Sequence, residues 1–128
     1  MNDQELLRYS KQVMLPQVDI EGQQKIIDST MLIIGMGGLG SPAAFYLAGA
    51  GVGHLIIADF DQVELSNLQR QIIYRTADIG SDKVDTAKAR LLELNPNIKV
   101  TIANELLHTG NLASLVKDVD IVLDGTDN

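Results

Sequence analysis

A glycine-rich turn between an apolar run and a stretch of small residues constrains the fold of this chain more than any other feature. Residues 31–34 are continuously apolar, as in a parallel strand that is buried on both faces. The turn that follows contains four glycines, Gly35, Gly37, Gly38 and Gly40. The first, second and fourth of them satisfy the G-x-G-x-x-G pattern, in which glycine lets the backbone turn tightly and approach a phosphate. Residues 42–50 are almost wholly small or apolar, which predicts a buried helix and completes a nucleotide-binding strand–turn–helix unit.

The rest of the sequence alternates strands with helices. Further strands are predicted at residues 54–58, 98–103 and 119–123. Helices are predicted at residues 4–15, 19–27, 81–94 and 112–116. This order predicts an α/β fold, a Rossmann-like doubly wound parallel sheet with two N-terminal helices that is truncated after the fourth strand. We expect a single domain over residues 1–128, with residues 1–29 as its helical N-terminal segment.

Composition excludes several classes of protein. The chain has 128 residues and is 45% hydrophobic, which is typical of a globular protein. Its net charge of −7 makes it a poor match for nucleic acid. No apolar run approaches the roughly 18 residues that a membrane span needs. The absence of cysteine excludes disulfides and thiolate metal sites. With a polar N-terminus that is no secretory signal, we expect a cytoplasmic protein without membrane or nucleic-acid partners.

Carboxylates follow the second predicted strand. Asp59 lies nineteen residues beyond Gly40, where the acid of a dinucleotide site accepts hydrogen bonds from ribose hydroxyls. Asp61 is a weaker candidate, because it could simply cap the turn that follows.

A polar cluster then follows that a hydride-transfer domain does not need. Its residues are Ser66, Asn67, Leu68, Gln69, Arg70 and Gln71. Arg70 offers a planar fork of donors to phosphate oxygens, and Lys83 adds a point charge near the start of the next helix. Each cation alone is more often an ordinary surface residue. Their combination with Asp59 beside a phosphate loop favours a nucleotide that is consumed over one that carries hydride.

Polar residues also follow the fourth predicted strand. Asp124, Asp127 and Asn128 lie at the carboxyl end of this strand, where ligands bind in open α/β sheets. A carboxylate there could hold Mg²⁺ on a triphosphate. His54 and His108 are expected to be surface or strand-edge residues, and no pattern for nucleophilic catalysis is present.

Together these motifs resemble the ThiF/MoeB/HesA family, the bacterial relatives of ubiquitin-activating enzymes. The resemblance covers the whole chain and leans towards the ThiF branch. The matching segments are residues 8–12, 35–41, 59–63, 66–71, 80–83, 95–96 and 124–128.

The resemblance implies ATP-dependent adenylation of the C-terminal glycine of a ubiquitin-like sulfur-carrier protein, ThiS-like or MoaD-like, in thiamine or molybdenum cofactor biosynthesis. It implies catalytic roles for Arg70, Lys83, Asp127 and Lys11, with Asp127 organising Mg²⁺. It also implies that the following residues bind ATP: Gly35, Gly37, Gly38, Gly40, Asp59, Asp61, Ser66, Asn67, Leu68, Gln69, Arg70, Lys83, Asp127 and Asn128.

Two departures from the family pattern affect these expectations. Lys11 stands where the family often has an arginine that reaches the triphosphate of a dimer partner, and lysine lacks the bidentate fork. Family members also continue for about as many residues again and usually carry paired CxxC zinc sites there. We therefore expect the N-terminal half of such an enzyme, incomplete alone, with zinc only in the other half. An uncovered sheet edge after strand four favours a homodimer.

Two other functions fit part of the pattern. An NAD(P)-binding oxidoreductase domain explains the glycines and Asp59 but leaves Asn67, Arg70, Lys83 and Asp127 without a role. A non-catalytic module that only docks a carrier protein is the second alternative.

Overall fold

The structure is a computed structural model that describes residues 1–69, 71, 73–103 and 116–125. The helices and strands in these ranges are α1 (Asp3–Arg8), α2 (Ser10–Val13), α3 (Asp19–Ile27), β1 (Thr30–Ile34), α4 (Gly40–Ala50), β2 (His54–Ala58), α5 (Lys83–Leu94), β3 (Lys99–Ala103) and β4 (Ile121–Asp124). Short 3₁₀ turns at Leu65–Asn67 and Thr76–Asp78 lie in the long β2–α5 connection. Residues 112–115 of the helix predicted after β3 lie outside the described ranges.

The strands form one parallel sheet in the order β3-β2-β1-β4. β1 pairs with β2 from Thr30↔His54 to Ile34↔Ala58, and on its other side with β4. The predicted Rossmann-like α/β fold is confirmed. Because the strand order reverses between β1 and β4, the crevice for a ligand opens at the carboxyl ends of these two strands.

The main core lies between one face of the sheet and helices α4 and α5. Ile33 and Ile57 of the sheet are fully buried and belong to one cluster with Leu91 of α5. Each such side chain contributes about 1.5–3 kcal/mol through removal from water. Helix α4 is buried on one face only, since Ala44 and Ala48 are inaccessible while Tyr46 is 71% exposed. The helix is therefore buried on its inner face as expected, while its outer face is exposed.

The N-terminal helix predicted over residues 4–15 is two helices. Asn2 begins α1 because its side chain accepts the N–H of Glu5 at 2.8 Å and its own N–H donates to the Glu5 carboxylate. Tyr9 ends α1 and separates it from α2. The break directs Tyr9 into the core, where its hydroxyl accepts from Asn95 Nδ2 at 2.8 Å. Its ring packs on Gly51, and a β-carbon there would lie 2.7 Å from the ring. Across the described ranges, none of these helices has the length and apolarity of a bilayer-spanning segment.

Candidate functional site

The turn between β1 and α4 is built by close backbone packing. Gly35 has a φ of 89°, a conformation that glycine adopts without strain. A β-carbon on Gly40 would overlap the carbonyl oxygen of Gly35. One on Gly125, after β4, would lie 3.0 Å from the nitrogen and α-carbon of Gly40. The loop of residues 35–40, hereafter the glycine loop, is thus held between the ends of β1 and β4.

The glycine loop presents unused backbone donors. Among the residues that the structure describes, none accepts a hydrogen bond from the N–H groups of Gly37, Gly38 or Leu39. These groups precede or begin the first turn of α4, a helix of 11 residues. The positive end of the helix dipole adds to their attraction for an anion. The loop therefore has the donors that a phosphate group requires.

Asp59 connects the end of β2 to the glycine loop. Its Oδ2 accepts the N–H of Met36 at 2.7 Å, and its Oδ1 accepts the N–H of Asp61 at 2.8 Å. Each carboxylate oxygen has a second lone pair and can accept a further hydrogen bond. The predicted ribose acid thus lies beside the predicted phosphate loop, and its contact with ribose stays a prediction.

Tyr74 fixes the other polar group of Met36. Its buried hydroxyl donates to the Met36 carbonyl at 2.6 Å. Burial raises the pKa of the Tyr74 hydroxyl well above its ordinary value, and the negative charge of Asp59 raises it further. The hydroxyl therefore stays protonated and keeps donating. With its N–H bonded to Asp59 and its carbonyl to Tyr74, Met36 is fixed at the entry of the loop.

Lys83 is a buried cation that contacts Asp61. Its N–H donates to the carbonyl of Asp61 at 3.0 Å, and its ammonium nitrogen lies 4.0 Å from Asp61 Oδ2. The Lys83 side chain is 6% exposed and that of Asp61 57% exposed. A 4.0 Å separation is too long for a direct hydrogen bond, so the ammonium keeps donors available for another anion. A continuous series of contacts therefore runs from the glycine loop through Asp59 and Asp61 to Lys83.

Of the other predicted residues, some lie in the connection that follows β2 and some lie outside the described residues. Ser66 and Asn67 lie in the 3₁₀ turn Leu65–Asn67, followed by Leu68 and an exposed Gln69. Arg70, Asp127, Asn128 and His108 lie outside the described residues.

Lys11 is not brought to the glycine loop. It is exposed on α2, next to Gln12, whose side chain donates to the carbonyl of Ala50 at 3.0 Å. Ala50 ends α4, and a helix of 11 residues is about 16 Å long. The Lys11 segment therefore packs at the end of α4 that is far from the loop. The expectation that Lys11 reaches the triphosphate of a dimer partner stays a prediction.

Three residues that contact or support the glycine loop were not assigned to the ATP site from sequence, although one of them, Gln71, belongs to the predicted polar cluster. These are Met36, Gln71 and Tyr74. Gln71 is 3% exposed, with its Nε2 3.4 Å from the position of a β-carbon on Gly37.

The described residues hold no ready-made metal centre, and they line one open depression away from the glycine loop. They contain no group of three or more His, Asp or Glu side chains that could hold a metal ion. Mg²⁺ bound to a nucleotide needs only one or two carboxylates, so this finding leaves the role of Asp127 a prediction. An open depression of about 590 Å³ has Arg75, Asp78, Asp85 and Arg90 in its wall and includes no residue of the glycine loop.

Known proteins are similar to this chain in both sequence and fold. The ThiS sulfur-carrier adenylyltransferase of Escherichia coli K12 is 52% identical over all 128 residues, and the molybdopterin-synthase adenylyltransferase of the same strain 49%. The chain spans 51% of the length of each.

Among solved structures, E. coli tRNA N6-threonylcarbamoyladenosine dehydratase, TcdA, in complex with ATP superposes with a TM-score of 0.92 at 27% identity. The superposition covers 99% of this chain and 52% of TcdA. The TcdA complex with AMP gives a TM-score of 0.93. Residues 9–128 match the ThiF family, which confirms the resemblance that the motifs indicated. The chain belongs to the ThiF family.

Proposed function

We propose that this chain is the nucleotide-binding part of an enzyme that adenylates the C-terminal glycine of a ubiquitin-like sulfur-carrier protein, with ATP as the second substrate. The names of the two E. coli relatives support this reaction, and a ThiS-like and a MoaD-like carrier are both candidates. The TcdA complexes with ATP and AMP support an adenine nucleotide as the ligand. Thiamine and molybdenum cofactor biosynthesis are the corresponding pathways.

The position of Lys83 carries the proposal. Its ammonium group is buried, lies 4.0 Å from its nearest recorded carboxylate, and is connected through Asp61 and Asp59 to the glycine loop. Among the described residues this ammonium is paired only loosely, with the exposed carboxylate of Asp61, although burial makes a close anionic partner favourable. In this proposal, a phosphate of the nucleotide is the second anion that the ammonium binds.

The reaction can proceed by positioning and charge stabilisation. A carboxylate oxygen of the carrier's terminal glycine attacks the α-phosphorus, a new phosphorus–oxygen bond forms, and the bond to the β-phosphate oxygen breaks to release pyrophosphate. The attacking carboxylate is already ionised at neutral pH, so no general base is needed. In this proposal, the N–H groups of Gly37, Gly38 and Leu39 and the Lys83 ammonium stabilise the developing negative charge. Asp59 holds the ribose.

The remaining roles follow the family pattern. Arg70 would offer its guanidinium to the phosphates, and Asp127 would hold Mg²⁺, which neutralises phosphate charge when it is bound. Ser66, Asn67, Leu68, Gln69 and Asn128 would complete the ATP site. Lys11 would act across a homodimer, from one subunit to the nucleotide of the other.

An NAD(P)-binding oxidoreductase would use the same loop and the same ribose acid. Hydride transfer breaks no phosphate bond, so Lys83 would have no catalytic role in such a domain. The relatives' names favour adenylation over hydride transfer.

Carrier-dependent exchange of labelled pyrophosphate into ATP tests the proposal. We expect the enzyme that contains this chain to show exchange with a ThiS-type or a MoaD-type carrier, and Lys83→Met to lower that exchange about 10²-fold, because one charge-stabilising donor is removed. Lys25→Met is the matched control, since the Lys25 side chain is 77% exposed on α3 and should be dispensable. Equal exchange in Lys83→Met and the unaltered chain would refute the role of Lys83. Binding of NAD in preference to ATP would refute adenylation itself.

A further inference from the structure

Gln71 carries a buried acceptor without a donor. The residue is 3% exposed, and its Oε1 atom has no hydrogen-bond partner in the structure. Over the described ranges, only one other fully buried side-chain atom shares this property, the Nε of Arg90. Buried polar atoms in folded proteins are nearly always paired, so an exception calls for a partner from outside the chain, and a bound ligand is one such partner.

The side chain of Gln71 is directed at the glycine loop. Its backbone N–H donates to the carbonyl of Asn67 at 3.0 Å, which fixes the backbone of Gln71. Its Nε2 lies 3.4 Å from the point that a β-carbon on Gly37 would occupy. Gly37 follows Met36, and the N–H of Met36 is bonded to Asp59. The carboxamide therefore lies one residue along the loop from the predicted ribose acid.

Neighbouring hydroxyl groups do not satisfy this acceptor. The hydroxyl of Tyr74 donates to the carbonyl of Met36 at 2.6 Å. That of Ser41 donates to the carbonyl of Gly37 at 2.6 Å. Both hydroxyls thus donate to backbone carbonyls of the loop, and neither pairs with the Gln71 oxygen.

The chemistry of a nucleotide narrows the identity of that donor. At neutral pH the phosphate oxygens that contact a glycine loop act as acceptors and bring no proton of their own. The ribose carries two hydroxyl groups that can donate, and Asp59 places the ribose beside Met36. We propose that Gln71 Oε1 accepts a hydrogen bond from a ribose hydroxyl and makes the site select ribonucleotides over deoxyribonucleotides. This assignment rests on the proposed function, because it requires a nucleotide in the loop.

Calorimetric titration of the chain with ATP, 2′-deoxy-ATP and 3′-deoxy-ATP tests the assignment. The unaltered chain should bind ATP about tenfold more tightly than at least one deoxy analogue, because the analogue leaves the buried oxygen unpaired. Gln71→Met has a similar shape without the acceptor, so it should bind ATP and that analogue equally. Gln71→Glu keeps an acceptor and should keep the preference. Gln17→Met, at an exposed position in the N-terminal segment, should behave as the unaltered chain.

A thermal melt without nucleotide separates recognition from simple core packing. Gln71→Met should melt at the same or a higher temperature than the unaltered chain, because it removes an unsatisfied buried oxygen. If ATP binds but Gln71→Met keeps the preference of the unaltered chain, the assignment fails while the proposed function stands. The assignment also fails if the unaltered chain binds all three nucleotides equally. If the unaltered chain binds none of them, the proposed function fails as well.

Discussion

At the scale of single residues, Gly40 is the position where the glycine loop tolerates no side chain. The β-carbon of an alanine would overlap the carbonyl oxygen of Gly35, so the β1–α4 turn would have to open. We expect Gly40→Ala to lower the free energy of unfolding by about 2–3 kcal/mol, as overpacked sites do. Urea unfolding monitored by circular dichroism measures the difference.

Gly49 provides the control for Gly40 in the same helix. A β-carbon on Gly49 would meet the Leu94 side chain at 3.8 Å, which is ordinary contact. Gly49→Ala should therefore raise the free energy of unfolding by about 0.5–1 kcal/mol through the better helix propensity of alanine. Equal effects of the two substitutions would show that backbone packing does not define the loop.

Candidate site residues that directly follow a strand could be predicted from the sequence. Residues of the β2–α5 connection that fold back onto the glycine loop could not. Gly35, Gly40 and Asp59 were identifiable because spacing along the chain fixes their positions at strand ends. The bond from Tyr74 to Met36 joins residues 38 positions apart. No local pattern encodes such a contact, because it depends on how the β2–α5 connection folds back.

At the scale of elements, His54 makes the pairing of β2 with β3 sensitive to pH. His54 lies opposite Lys99 in the ladder, and its Nε2 lies 2.8 Å from Thr101 Oγ1. Burial lowers the pKa of the His54 imidazole below its ordinary value of 6.5, and the charge of Lys99 lowers it further. Protonation therefore favours the unfolded chain. The contribution of neutral His54 to the free energy of unfolding is therefore complete above pH 6.5, the pKa of the unfolded chain. It is lost as the pH falls through the lower pKa that His54 has in the folded chain.

Thermal melts between pH 7.5 and pH 5 measure this effect. We expect the melting temperature of the unaltered chain to fall by about 1–3 °C more than that of His54→Gln, a shift that corresponds to a fraction of a kcal/mol. Lys99→Gln removes the repelling charge and should reduce the difference. Parallel curves of melting temperature against pH for the unaltered chain and His54→Gln would show that the pKa of His54 is the same in the folded and unfolded chain.

The break between α1 and α2 shows why element boundaries were harder to predict than element types. Residues 4–15 have helical periodicity, yet Tyr9 leaves the helix to reach Gly51 and Asn95. The buried contacts and the hydrogen bond to Asn95 outweigh the loss of helical hydrogen bonds. Because Asn95 is 86 positions away, tertiary packing overrides the local preference.

At the scale of the whole molecule, the sheet order brings the parts of the site to one edge. β1 lies between β2 and β4, so the glycine loop, Asp59 and Gly125 meet at the carboxyl ends of three strands. Lys83 joins them because the bridge between Gln62 and Asp82 returns the long connection to the end of β2. Parallel topology follows from the alternation of strands and helices. The return of the connection was not predictable from periodicity, because residues 60–80 have none.

The proposed function depends on the glycine loop binding the phosphates of a nucleotide that is consumed in the reaction. Backbone amide NMR of the ¹⁵N-labelled chain, titrated with ATP and Mg²⁺ and separately with NAD, tests it most directly. We expect ATP to cause the largest shift changes at the N–H groups of Gly37, Gly38 and Leu39, and NAD to cause smaller ones at the same concentration. Shift changes confined to other parts of the chain, or larger changes with NAD than with ATP, would contradict the proposed function.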